Sequence, residues 1–135
     1  MTTDDLTAAL RACAAGIYPL EAGVALLISN GTFLRRDDFT TRFIEHGHGT
    51  SDGAPVAAID WHAAITALAS GRLPCSGGER RILQLSASLS AGIPVDLRDS
   101  ITGLDNDNAA RLLTAIGHAT GKRPGPADTR DCIRS

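Results

Sequence analysis

Apolar residues in this chain recur at intervals of three and four, and no long run alternates strictly at two. That spacing lays them along one face of a 3.6-residue helix, whereas a half-buried strand turns alternate residues to opposite faces. The expected fold is therefore all-α, with six or seven helices. Composition fixes what fills the centre. Hydrophobic residues make up 43% of the chain, but the aromatics are only Phe 3, Trp 1 and Tyr 1, so the core is expected to be built from Ala, Leu, Ile and Val. A length of 135 residues suits one domain and excludes a two-domain enzyme. Residues 1–120 are expected to form it.

The first predicted helix covers 4–14, with Leu6, Ala9, Leu10 and Cys13 in one stripe and a capping pattern at Thr2 and Asp5. The second opens at Tyr18 and Pro19 and stops at Asn30 and Gly31. Leu20, Val24, Leu26, Leu27 and Ile28 make it apolar nearly all round, which predicts the central helix. A third spans 36–45, with Phe39 and Phe43 one turn apart. The stretch 46–56 is dense in turn residues and lacks periodicity, so it reads as a flexible loop. Further helices follow at 58–69, 76–90, 95–102 and 106–119. In the last, Ala109, Leu112, Leu113 and Ile116 fall at the spacing of a single buried face. Beyond Thr120 the Pro- and Gly-rich segment 121–135 has little to bury and reads as a disordered tail.

Little chemistry is concentrated anywhere. Thirteen basic and 15 acidic residues give a net charge of −2, which points to neither a polyanionic nor a polycationic partner. No run approaches the roughly 20 apolar residues of a membrane span, and Asp4 and Asp5 stand where a signal peptide carries basic residues, so a cytoplasmic location without membrane association is expected. Cys13, Cys75 and Cys132 are too far apart for a zinc motif and too few for a disulfide framework, and no cofactor is implied. His46 and His48, with Glu45 and Asp52 nearby, are the one cluster of metal-ligand types, and they make a weak metal candidate. His62 and His118 read as structural, His118 complementing the end of its helix. The pairs Arg35 and Arg36, Arg80 and Arg81, and Lys122 and Arg123 each have acidic neighbours, so solvated surface is expected unless the fold joins two pairs into a basic patch. Trp61, if exposed, would mark a partner surface.

Three resemblances bear on function. The run from Cys75 to Arg81, followed by Asp99 and by Gly103, Leu104 and Asp105, resembles the signature-to-Walker-B stretch of ATP-binding cassette ATPases. The resemblance stops short of chemistry. Pro94, Asp96 and Arg98 interrupt the required apolar strand, Ser100 stands at the position of the catalytic Glu, and no phosphate-binding loop with its Lys is present, so no nucleotide is expected. Ser76 and Glu79 are accounted for as a capping box. Residues 79–90, 95–102 and 105–118 resemble a tri-helical helix-turn-helix unit, with Leu97 and Ile101 as inner positions and Leu104 packing beneath the turn. Its last helix begins Asp105, Asn106, Asp107, Asn108, with Arg111 as its one cation, a poor match for phosphate. The Arg-rich composition, in which Lys122 is the only Lys, resembles that of small helical proteins of actinobacteria, and this resemblance carries no activity.

The leading expectation is a non-catalytic protein-interaction or regulatory module that engages a protein partner or forms a homodimer. Its candidate interaction residues are Trp61, Arg35, Arg36, Arg80, Arg81 and Arg111. A DNA-associated transcriptional regulator using the tri-helical unit is the alternative. A small metal-dependent enzyme using His46 and His48 is the second.

Overall fold

Helix starts in this chain are set by short polar side chains that satisfy the amide groups a helix leaves unpaired. The computed structural model describes residues 2–121. Thr3–Ala14 (α1) begins where Thr2 accepts from the Asp5 amide at 3.1 Å and the Asp5 carboxylate accepts from the Thr2 amide at 3.2 Å. Tyr18–Asn30 (α2) opens with Pro19 in its first turn. It ends on Gly31, whose φ of 79° is a left-handed conformation open to glycine at little cost and lets its amide donate to Leu27. A 3-10 turn, Phe33–Arg35, leads into Asp37–Phe43 (α3). After an antiparallel hairpin of Ile44–His48 (β1) and Pro55–Ile59 (β2) come Trp61–Ala69 (α4), Gly77–Ala91 (α5), Leu97–Thr102 (α6) and Asn106–Ala119 (α7). Asp60, Ser76, Asp96 and Asp105 cap the last four, each accepting from an amide three residues on.

Helix α2 is the centre of the mostly helical domain. Helices α5 and α7 pack along it, and α1 lies against both α2 and β2. Leu26 and Leu27 of α2, Ile82 and Leu83 of α5, and Leu10 of α1 are all buried, giving the aliphatic core that the composition requires. Phe33, Phe39 and Phe43 add one aromatic stack, with ring centroids 5.1 and 5.4 Å apart. Where α2 crosses α5 the backbones come close: a Cβ on Gly23 would overlap the Ser90 hydroxyl and stand 2.6 Å from the Ser86 carbonyl oxygen. The hydroxyls of Ser86 and Ser90 are buried there without a hydrogen-bond partner among the described residues, so small size rather than polarity is what this crossing uses.

Several expectations are corrected. The flexible loop at 46–56 is largely a hairpin, in which Ile44 pairs with Ile59, His46 with Ala57 and His48 with Pro55. In β1 only Ile44 is apolar and β2 has no polar residue, so neither alternates in sequence, and only the buried face of Ile44, Ala57 and Ile59 reveals the strands. The irregular part shrinks to 49–54, where Gly49 donates to Ala54 and the Ala54 amide donates to Asp52. The third helix consequently ends at Phe43, and the fourth begins at Trp61 rather than at 58, because Asp60 caps it.

Helices α6 and α7 are also turned from their expected orientation. Leu97 and Ile101, expected as inner positions, are 55% and 43% exposed, while Ser100 is buried. In α7 the buried face is Asn108, Leu112 and Ala115, and Leu113 is 71% exposed. Asn108 explains the turn: it accepts from the Asn30 amide group at 3.2 Å and from Arg111 at 2.9 Å, so a hydrogen-bonded polar residue takes an inward position. In α1, likewise, Ala14 is buried and Cys13 is exposed. The expected tail at 121–135, including Lys122, Arg123 and Cys132, lies outside the described residues apart from Gly121.

Candidate interaction surface

Trp61 is not a surface residue. It opens α4 directly after the Asp60 cap, keeps only 6% of its surface exposed, and lines a small hollow of about 220 Å³ together with Leu10, Ala14, Leu20, Val24 and Ile59. Its large area belongs to the core, and its candidacy as a partner contact is withdrawn.

Of the arginine candidates, Arg36 and Arg111 make hydrogen bonds and Arg81 packs against a turn. Arg36 makes two hydrogen bonds to Asp38, at 2.9 and 2.6 Å, and a third to the Pro74 carbonyl at 2.7 Å, which ties the start of α3 to the segment before α5. This pairing holds the Asp38 carboxyl below its ordinary value. Arg81 lies against the α6–α7 turn, so closely that a Cβ on Gly103 would overlap its guanidinium. Arg111 donates to Asn108. Arg80 is exposed, and Arg35 is exposed beside a shallow cleft of about 560 Å³ that His46 and Asp37 also line. Arg36 and Arg80 both favour the charged form of Cys75, so the pairs at 35–36 and 80–81 meet beside the segment before α5, where Asp38 and Glu79 accompany them.

His46 and His48 fall on the same side of β1, as residues two apart in a strand must, and both are exposed. Asp52 is used locally by the Ala54 amide. Among the described residues, no three His, Cys, Asp or Glu side chains converge as a metal site would require. Burial pushes the Cys75 thiol above its ordinary value, so it is kept in the unreactive protonated form.

The feature that sequence reasoning missed is the set of exposed apolar side chains on the last two helices. Leu97 and Ile101 lie four apart on α6, and Leu113 and Ile116 lie three apart on α7. Their exposures of 55%, 43%, 71% and 41% make them four of the six large hydrophobic side chains left exposed among the described residues. The other two, Ile17 and Tyr18, stand at the start of α2, and Tyr18 meets the ring of His118 edge-on at 6.2 Å. Arg98 and Asp99 are the exposed charges between Leu97 and Ile101. The available signal was Asn108: once it is placed inward, helical geometry carries Leu113 and Ile116 to the flank.

Helices α6 and α7 each lie against α5, and Asp105 and Asp107 are both exposed at the start of α7. Two carboxylates there oppose the approach of a phosphate backbone. No helix among the described residues is long and apolar enough to cross a membrane. Comparison with protein-family models, curated proteins and solved structures gives no match.

Proposed function

We propose that the chain is a non-catalytic protein-interaction module and that the outer side of α6 and α7 joins it to a second copy as a homodimer. The observation that carries this reading is the exposure of Leu97, Ile101, Leu113 and Ile116 on consecutive helices of one unit. Burying such side chains on association contributes on the order of 1–2 kcal/mol each, before the cost of immobilising the partners. A second copy fits the charge pattern. The net charge of −2 gives little repulsion between copies, and adjacent Arg98 and Asp99 are self-complementary across a two-fold axis.

Sedimentation of the wild type and of a Leu97→Lys, Leu113→Lys variant tests it. The wild type is expected to dimerise with rising concentration, and the variant to stay monomeric with an unchanged unfolding midpoint. A wild type that remains monomeric throughout would refute the homodimer. The DNA reading predicts salt-sensitive duplex binding lost on Arg111→Ala, and the metal reading predicts stoichiometric zinc or manganese lost on His46→Ala with His48→Ala. The acidic start of α7 weighs against the first, and the lack of a third ligand beside the histidines among the described residues against the second.

A further inference from the structure

Helices α1 and α7 both lie against α2, and between them a cleft of about 350 Å³ opens over α2. Its floor is Ala25 and Leu26, small or apolar, and its α7 wall includes Ala110 and Ala115. Nitrogen-bearing side chains line both sides. Arg11 reaches in from α1, and Arg111 and His118 from α7. An adjoining hollow of about 270 Å³ shares Arg11, Ala25 and His118 and adds Glu21.

Acidic neutralisation in this cleft is incomplete. Glu21, in the adjoining hollow, is the one carboxylate lining either space among the described residues, and both of its oxygens already have a partner: one accepts from the Gly16 amide at 2.7 Å, the other from His118 Nε2 at 2.7 Å. Arg111 has one bond, to the neutral Asn108, and Arg11 has no hydrogen bond or ion pair to another described residue. Two guanidinium groups from helices far apart in sequence therefore border one hollow without a carboxylate for either among the described residues. A cleft bordered by arginines on two walls, with an apolar floor, suits an anion that can accept from both.

We infer that this α1–α2–α7 cleft binds a small organic anion, its carboxylate or phosphate group between Arg11 and Arg111 and its short apolar body on Ala25, Leu26, Ala110 and Ala115. The guanidinium forks supply paired donors to the anion's oxygens, and the floor supplies burial for a few carbon atoms. The site is independent of the α6–α7 face, since none of Leu97, Ile101, Leu113 or Ile116 lines it.

The test is a titration followed by amide and imidazole resonances, using acetate, butyrate, inorganic phosphate and butyl phosphate as probes. Butyrate or butyl phosphate is expected to give saturable shifts at Ala25, Arg111 and His118, binding more tightly than its short counterpart. The better of the two headgroups identifies the source of the charge. Arg11→Met, which removes an exposed side chain without a described partner, is expected to weaken binding by about tenfold or more, while Arg80→Met leaves it unchanged. Absence of saturable shifts with all four probes, or equal binding by the Arg11→Met variant, would overturn the inference.

Discussion

Replacing Gly23 by Ala tests the helix crossing on which the core is organised. The added methyl overlaps the Ser90 hydroxyl, which can rotate, and meets the Ser86 carbonyl oxygen at 2.6 Å, which cannot move without α5. Overpacking a close-packed site typically costs about 1–3 kcal/mol, and a backbone neighbour puts this case near the upper end. Against that, Ala in place of Gly within a helix returns roughly 0.5–1 kcal/mol. The net expectation is a loss of about 2 kcal/mol, equivalent to about 1 M in urea midpoint for a slope near 2 kcal/mol/M. Gly117 supplies the control, because it lies inside α7 and a methyl placed on it meets nothing within 4 Å, so Gly117→Ala is expected to stabilise by roughly 0.5–1 kcal/mol. Urea unfolding read by the fluorescence of buried Trp61 measures both. Adding Ser90→Ala to Gly23→Ala should recover part of the loss, since it removes the hydroxyl overlap but leaves the carbonyl. A Gly23→Ala protein as stable as the wild type would refute the close approach of α2 and α5.

Two further outcomes follow from the same packing. Glu21 is held below its ordinary value of 4.5, first by the Gly16 amide and then by His118, so its contribution is complete above that value and is lost as pH falls through the lowered folded value. Glu21→Gln is expected to flatten the acid side of the stability profile, measured by urea midpoints at descending pH; an unchanged acid limb would remove Glu21 from it. Trp61→Ala is expected to cost about 3–5 kcal/mol because it empties a core position. Thermal unfolding distinguishes this from a surface role, which would leave the midpoint near that of the wild type.

Helix identity was legible wherever a cap and a stripe agreed. Thr2 with Asp5, Ser76 with Glu79, and Asp105 all announced starts that the structure keeps. The centrality of α2 was legible from its apolar circumference. The hairpin was not, because His46, Gly47 and His48 carry no hydrophobic signal and Ala57 and Ile59 resemble the beginning of the helix that follows. The orientation of α7 was hidden for a different reason. Counting apolar positions places Leu113 and Ile116 inward, whereas hydrogen bonds from Asn30 and Arg111 to Asn108 favour a neighbouring face. Such a choice depends on which groups α2 presents, a tertiary fact that no local window contains. The anion cleft was equally out of reach, since Arg11 and Arg111 stand a hundred residues apart.

The hairpin gives the domain a built-in port. Its root, Ile44 opposite Ile59, is anchored in the core, whereas its far end, His48 opposite Pro55, brings two chain positions side by side on exposed surface. The turn 49–54 that joins them closes on its own hydrogen bonds and is exposed at all but Gly49. A foreign segment whose ends are similarly close can be spliced there without drawing the core apart. The ribbon thus separates the part of the chain that must be conserved in shape from a place where length is free to change.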